Sequence, residues 1–146
     1  MFEFATNLGI YNHYLTVAIP NTAPEEDVGF SSVLSGTIPR WSNYTSVDFT
    51  RGNYHAAAGV RYIPSVTDNV DGTRVGAWYT LDLAADYTFG ATVKYLAGAR
   101  VTLGVNNVFN KMPPVDPTIY GSLSQADIST YNPIGRFLYV DLKYKF

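Results

Sequence analysis

Few residues in this 146-residue chain have side chains that could carry out acid–base chemistry at a defined site. Asp82 and Asp86 lie in one alternating segment, and their spacing of four places both on one face of a strand. At a rise of roughly 3.3 Å per residue they are about 13 Å apart, which is too far for a general acid/base pair. We therefore predict that these carboxylates pair with nearby cations such as Arg61 or Arg100.

The sequence also contains few residues that could bind a metal ion. His13 and His55 are the only histidines, and neither has a second ligand at a useful spacing. The segment 68–72 (Asp-Asn-Val-Asp-Gly) resembles part of a calcium loop, but the alternate-position acids and the distant Glu are missing, so an Asp-Gly turn is predicted. The absence of cysteine excludes a disulfide scaffold and a thiolate metal site. The sequence predicts no cofactor, no metal and no catalysis.

Composition narrows the class of protein. The chain is 15% aromatic and 15% charged, and its mean hydropathy is close to zero. This balance is typical of membrane β-barrels, in which lipid-facing and lumen-facing residues alternate. No apolar stretch approaches the roughly 20 residues of a membrane helix. The net charge of -2 argues against nucleic acid as a partner.

Alternation of apolar and polar residues predicts an all-β, antiparallel meander of about six strands. Long, polar connections are expected at 12–39 and 110–136, and short ones at 50–53 and 90–98. This alternation of long and short connections is typical of outer-membrane barrels, which have long loops outside and short periplasmic turns. The six segments are Phe2 to Ile10, Trp41 to Phe49, Asn53 to Tyr62, Val75 to Phe89, Arg100 to Asn106 and Arg136 to Phe146.

The same alternation assigns side chains to two faces. One face is polar and is predicted to face a wet lumen, because charged residues at membrane depth need such an interior. Its charged and amide members are Asp48, His55, Arg61, Asp82, Asp86, Arg100 and Asn106. On the other face, Trp41, Tyr62 and Tyr79 are predicted to form an aromatic girdle at a bilayer interface, with a sugar-stacking platform as the alternative.

Both chain termini contribute to this interpretation. The last strand alternates strictly, and its outward residues are predicted to be Leu138, Val140, Leu142, Tyr144 and Phe146. Such a strand suits a boundary between an apolar and an aqueous phase. At the other terminus no Lys or Arg precedes Arg40, so we expect either that the export signal is missing or that the chain is a fragment of a longer protein.

Residues 99–146 resemble the C-terminal end of TonB-dependent receptors. The similar segments are 103–111 (Leu-Gly-Val-Asn-Asn-Val-Phe-Asn-Lys) with Pro113 and Pro114, then 132–136 (Asn-Pro-Ile-Gly-Arg). Weaker similarity extends back to about Gly36. The family-motif residues are Asn106, Asn107, Phe109, Gly135 and Arg136. Members of the family have a 22-stranded barrel occluded by an N-terminal plug and import iron chelates, cobalamin or oligosaccharides.

The resemblance implies that residues 1–146 are one C-terminal part of such a barrel, in the bacterial outer membrane. The plug, the motif gripped by TonB and most strands are absent from this sequence. Implied partners are outer-membrane lipid, the missing plug and strands, the barrel-assembly machinery that recognises the terminal strand, and the TonB energy-coupling complex through the absent N-terminal part. The alternatives are a soluble β-sandwich that binds carbohydrate through exposed aromatics, and a small autonomous barrel or porin-like oligomer.

Overall fold

The computed structural model describes residues 1–144, apart from the side chains of 122–124. Within this range the regular secondary structure is almost entirely β, with one short helix. In chain order the elements are β1 Phe2–Ile10, β2 Leu15–Thr16, β3 Glu25–Glu26, β4 Phe30–Ser32, β5 Gly36–Ile38, β6 Trp41–Arg51, β7 Tyr54–Ile63, β8 Val66–Asp68, β9 Arg74–Val75, β10 Trp78–Thr88, β11 Arg100–Asn106, α1 Pro117–Ser124 and β12 Phe137–Lys143.

The six long strands form one antiparallel sheet in the order β1-β6-β7-β10-β11-β12. Each strand pairs with the next long strand along the chain, which confirms the predicted six-stranded meander. The strands β1 and β12 do not pair with each other, so the described sheet is open and has two edges. The long connections leave one end of this sheet, and the connections 52–53 and 89–99 leave the opposite end.

Two predicted strand limits were wrong. Val75 does not begin the fourth long strand, because it is buried in β9 and pairs with Val66 of β8. The long strand starts only at Trp78, after a break at Gly76 and Ala77. The turn between β6 and β7 is also tighter than predicted: Arg51 still pairs with a residue of β7, and Gly52, at φ 58°, occupies the left-handed conformation that glycine tolerates best.

The long connections contain ordered structure that the sequence did not predict. Segments from two of them form a four-stranded sheet in the order β5-β4-β8-β9, in which β4 and β8 run parallel. The strands β2 and β3 form a short hairpin. Helix α1 begins after its N-cap Asp116, which accepts a hydrogen bond from the backbone N–H of Ile119. We call this assembly of connections the loop layer (residues 11–40, 64–77 and 107–136).

The largest buried side chains lie where the loop layer meets the main sheet. Trp78 and Tyr131 are 2% and 1% exposed, and their rings meet edge to face at 5.9 Å with Ile63 beside them. By contrast, Phe2 at one edge of the main sheet and Leu142 at the other are 75% and 73% exposed. The core of the described chain is therefore small and sits at one end of the sheet.

Candidate functional site

The polar side chains predicted to share a face do lie together on one face of the main sheet. Directly paired residues point to the same side of a sheet, and the register pairs His55 with Asp86 and Arg61 with Thr80. Asp48, Asp82, Arg100 and Asn106 fall on this side by the same alternation. We call it the polar face; the members named here come from β6, β7, β10 and β11.

Four of the predicted residues form an ionic cluster near the short-turn end of the polar face. The His55 ring lies between two carboxylates, with Nδ1 2.8 Å from Asp86 Oδ2 and Nε2 3.2 Å from Asp48 Oδ1. Arg100 donates to the same oxygen of Asp86 at 2.6 Å, as predicted from its position. Both ring nitrogens of His55 therefore face carboxylate oxygens, and the two contacts fix the orientation of the ring.

The other predicted carboxylate has a different partner from the one expected. Asp82 Oδ1 accepts the backbone N–H of Asn107 at 2.7 Å, and no ion pair joins Asp82 to Arg61 in the described part of the chain. Arg61 instead lies over the Tyr44 ring, with its guanidinium carbon 5.4 Å from the ring centroid. An aromatic face can stabilise a cation in this way. Asp82 instead holds the start of the connection 107–136 through its hydrogen bond with Asn107.

The family-motif residues have a local structural role. Asn107 is buried in the left-handed conformation, at φ 53°. Its side chain accepts from the backbone N–H of Lys111 at 2.8 Å and donates to the carbonyl of Lys111 at 2.9 Å. This amide therefore closes the turn that follows β11, and Asn106, the last residue of that strand, points to the polar face.

The second half of the motif meets the first across the same connection. Asn110 Oδ1 accepts the backbone N–H of Arg136 at 2.8 Å, just before β12 begins. A Cβ atom on Gly135 would lie 2.5 Å from that same oxygen, so only glycine fits without a shift of Asn110. Phe109, by contrast, is an exposed ring. The motif thus pins together the two ends of the connection between β11 and β12.

A cavity of about 420 Å³ lies between the polar face and this connection. Arg61, Thr80 and Asp82 line it from the sheet, and Thr130, Asn132 and Ile134 line it from the connection. Trp78 also lines the cavity, and its buried Nε1–H has no hydrogen-bond partner among the described residues. The cavity offers both charges and amides to a polar ligand, but it contains no nucleophile next to a free base.

The opposite face of the main sheet is apolar and carries aromatic rings at two levels. On three neighbouring strands the rings are eight residues apart. Those rings pair across strands, with Trp41 against Tyr62 at 5.2 Å and Tyr54 against Tyr87 at 4.8 Å. Between the two levels the face is largely aliphatic and is not covered by another layer of the described chain. The six rings are Trp41 and Phe49 on β6, Tyr54 and Tyr62 on β7, and Tyr79 and Tyr87 on β10.

One polar group interrupts the apolar face near its β1 edge. Thr6 and Thr45 lie 3.0 Å apart, and Asn43 donates to Thr6 at 3.0 Å and to the carbonyl of Asn7 at 3.2 Å. Thr45 in turn donates to Asn43 at 2.9 Å. These side chains satisfy one another's hydrogen bonds, which lowers the cost of placing them in an apolar environment.

The terminal strand presents the predicted apolar row at the free edge of the sheet. Leu138, Val140, Leu142 and Tyr144 are all exposed. The backbone of β12 pairs with β11 on one side only. Phe146, the last member of the predicted row, lies outside the described residues.

Small residues on the polar face make room for tyrosine rings, which the sequence analysis did not recognise. A Cβ atom on Gly104 would overlap the ring of Tyr139, its direct partner on β12. Gly59 is covered in the same way by Tyr44 of β6. Aromatic rings laid over glycines on neighbouring strands help to fix strand register.

His13 and the turn at 68–72 have hydrogen-bond partners within the protein. His13 Nδ1 lies 2.7 Å from the exposed carboxylate of Glu26. A hydrogen bond from the Tyr14 backbone, followed by the one from His13, lowers the pKa of Glu26 to about 2. Asp68 caps the turn, accepting from Val70 N–H at 2.7 Å. No group of three or more His, Asp or Glu side chains suited to a metal occurs in the described part of the chain.

The sequence did not predict that four aspartates of the loop layer are buried: Asp27, Asp68, Asp116 and Asp127. They lie in segments whose apolar and polar residues do not alternate regularly, so the sequence pattern does not indicate which side chains are buried. The only available signal was that aspartate is frequent in these polar connections. Burial alone would raise the pKa of Asp127, but hydrogen bonds from Ser129, Thr37 and Thr130 outweigh it and lower the pKa to about 2. Asp127 is therefore a charged anchor inside the loop layer.

Comparison with protein-family models, curated proteins and solved structures finds no match for this chain. No helix among the described residues combines the length and the apolar character needed to cross a membrane.

Proposed function

We propose that this chain is part of the wall of a transmembrane β-barrel in the bacterial outer membrane, the C-terminal portion of a TonB-dependent receptor that takes up a scarce ligand. Its work is then structural and ligand-facing, with no catalysis of its own. The proposal joins the motif resemblance in segments 103–111 and 132–136 to the distribution of residues on the two faces of the sheet.

The spacing of aromatic rings on the apolar face is the observation that carries the proposal. Eight residues separate Tyr79 from Tyr87 on β10, and the same spacing recurs on β6 and β7. At roughly 3.3 Å per residue this corresponds to about 26 Å along a strand, or about 20 Å of height once a barrel strand is tilted. Outer-membrane barrels carry an apolar band of about 25 Å between two aromatic girdles. Leu83 lies midway between the two rings of β10 and is exposed.

The open edges and the connections support the same proposal. An unpaired strand edge in lipid leaves backbone N–H and C=O groups unsatisfied, so β1 and β12 need further strands on each side. In the proposed receptor these strands belong to the rest of the barrel. The loop layer, at the end opposite the two short connections, would lie outside the cell. The polar face would then line the lumen and meet the plug.

The exposed apolar face of the main sheet is evidence against the alternative of a soluble β-sandwich. A β-sandwich needs a second sheet packed on its apolar face. The four-stranded sheet of the loop layer lies at one end of the main sheet, and the apolar face stays exposed in the described chain.

Single-cysteine labelling tests the proposal directly, because the chain itself contains no cysteine. Neighbouring alanines provide matched sites: Ala57 and Ala84 on the polar face, Ala58 and Ala85 on the apolar face. In the full-length protein in outer membranes, with any other cysteines replaced by serine, cysteines at 58 and 85 should resist a water-soluble maleimide and react after detergent extraction. Cysteines at 57 and 84 should react with small aqueous reagents that enter the lumen. Equal aqueous reactivity at all four sites would contradict a lipid-facing apolar surface.

A further inference from the structure

One charged side chain lies on the otherwise uncharged apolar face of the main sheet. By the alternation of the six long strands, every Asp, Glu and Lys of these strands and their other two arginines fall on the polar face, whereas Arg51 falls on the apolar face. Arg51 is the last residue of β6, at the end of the sheet with the short connections, and it is exposed. No ion pair joins it to a carboxylate in the part of the chain that the structure describes. Its charge is therefore available to a partner outside these residues.

Two tyrosines lie directly beside Arg51 on the same face. The register pairs Arg51 with Tyr54, and Tyr54 pairs with Tyr87 on its other side. Directly paired residues point to the same side of a sheet, so the three side chains form one row across β6, β7 and β10. The rings of Tyr54 and Tyr87 lie 4.8 Å apart, and the ring of Phe89 lies 5.1 Å from that of Tyr87. The single cation of the apolar face thus sits within the aromatic level at the short-connection end.

This row borders an open recess of about 590 Å³. Arg51, Tyr54 and Tyr87 line it together with Gly52 and Asn53, the two residues of the turn between β6 and β7. The guanidinium offers five N–H donors, each tyrosine offers an O–H, and the Asn53 amide offers two N–H donors. None of the lining residues is acidic. The recess therefore suits a negatively charged oxygen group.

An apolar groove lies on the same face next to this recess. Its volume is about 580 Å³, and it runs over small side chains on neighbouring strands, including Ala56, Ala58 and Ala85, between the larger Phe49 and Leu103. Ala56 is two residues from Tyr54 on the same face of β7, so the groove begins about 7 Å from the tyrosine row. A ligand that spans both features carries an anionic head and an aliphatic tail.

The charges at this end of the sheet also discriminate between head groups. The connections 52–53 and 89–99 contain no Asp or Glu, and the second contains Lys94. An ammonium group such as that of ethanolamine would find no carboxylate on the apolar face of the described strands, and Arg51 would repel it. A phosphodiester without an amine is the complementary head group.

We propose that this recess binds the phosphate of an anionic phospholipid of the phosphatidylglycerol type, with an acyl chain lying in the alanine groove. The inference rests on the proposed function, which places the apolar face in lipid and the short connections on the periplasmic side. Arginine holds phosphate through two parallel N–H···O bonds. Its aliphatic stem can lie on apolar surface while its head reaches the membrane interface, the depth that tyrosine also prefers.

Lipid binding to the full-length protein tests the proposal. Native mass spectrometry in detergent, with phosphatidylglycerol or phosphatidylethanolamine added, measures the affinity of the first lipid bound. Arg51→Gln should weaken binding of phosphatidylglycerol by about fivefold, the factor for one basic residue at an anionic lipid surface, and should remove the preference over phosphatidylethanolamine. Arg51→Lys keeps the charge without the two parallel bonds and should be intermediate. Lys94→Gln, the matched control, removes the same charge at the same end but outside the recess, and should keep most of the preference.

Equal affinity of wild type and Arg51→Gln for phosphatidylglycerol would overturn the proposal, as would displacement of the lipid by an equal concentration of inorganic phosphate. If Arg51→Gln does not fold, phosphatidylglycerol with a photoreactive head group gives the answer on the wild type: cross-links should map to 50–54 and 87–89, and cross-links confined to other segments would contradict the site. Cysteine labelling at 58 and 85 tests the lipid-facing surface separately. Resistance to maleimide there, together with unchanged lipid binding in Arg51→Gln, would overturn this inference and leave the proposed function standing.

Discussion

The carboxylate of Asp127 accepts the backbone N–H of Thr37 at 2.9 Å, although the two residues are ninety positions apart. The backbone N–H of Ser129 donates to the other oxygen of Asp127 at 2.9 Å. The hydroxyl of Thr130 donates to the carbonyl of Thr37 at 3.2 Å. These hydrogen bonds join the connection 107–136 to β5, which lies in the connection between β1 and β6.

Replacing Asp127 should loosen the loop layer. Asp127→Ala leaves the buried N–H of Thr37 without its acceptor, a loss we expect to cost about 1–3 kcal/mol of local opening free energy. Hydrogen exchange of peptides covering 30–38 and 125–132 measures it. Asp71→Ala, at an exposed carboxylate in a neighbouring connection, is the control and should leave those peptides unchanged; equal effects of both changes would contradict the anchoring role.

Acid should weaken the same anchor. The pKa of Asp127 is lowered from 3.8 to about 2 by its hydrogen bonds. A depressed pKa stabilises the folded state above the unfolded pKa, and this contribution is lost as pH falls from about 4 towards 2. Up to about 2 kcal/mol is involved. After correction for the intrinsic exchange rates, which themselves change with pH, protection of 30–38 should decrease over this range in the wild type and stay constant in Asp127→Asn.

Gly135 should not tolerate a methyl group. Gly135→Ala places Cβ against Asn110 Oδ1 and disturbs the bond from that oxygen to the N–H of Arg136, at an expected cost of about 1–3 kcal/mol. Gly76→Ala is the matched control, because its Cβ would meet nothing within 4 Å. Chemical denaturation of the full-length protein in detergent compares them. Similar stabilities would mean that Asn110 moves aside without loss.

An arginine on the apolar face should lower the folding stability of the protein in a lipid bilayer. Leu83→Arg lies midway between the two aromatic levels and should cost about 2–4 kcal/mol in a bilayer. Ala84→Arg, one residue away on the polar face, should cost much less because that face is wet in the proposed barrel. Folding free energies in vesicles measure the difference. Equal costs would contradict the proposed orientation of the sheet.

Without lipid or detergent, the chain should associate with itself. The exposed row of Leu138, Val140 and Leu142 lies on an unpaired strand, and an apolar surface of this extent is unusual for a soluble monomer. Light scattering of the 146-residue chain in plain buffer should detect oligomers or aggregates. A monodisperse monomer would favour the soluble β-sandwich.

Sequence alone was sufficient for the main sheet. Alternation with a period of two follows from the pleat of a strand, so it located six strands and predicted that Asp86, His55 and Arg100 share one face. Arg100 was among the expected partners of Asp86, whereas the contact between Asp86 and His55 was found only in the structure. The resemblance linked the segments 103–111 and 132–136, but it did not indicate that Asn107 and Lys111 close a turn.

The tertiary structure decided what happens in the connections. Strands of two or three residues carry no measurable period, so nothing in the sequence placed Val75 against Val66 or ordered β5-β4-β8-β9. The burial of Asp68, Asp116 and Asp127 depends on segments that are far apart in the chain, as with Asp127 and Thr37. Local patterns specify which way a side chain points, whereas the partner it meets depends on how distant segments pack.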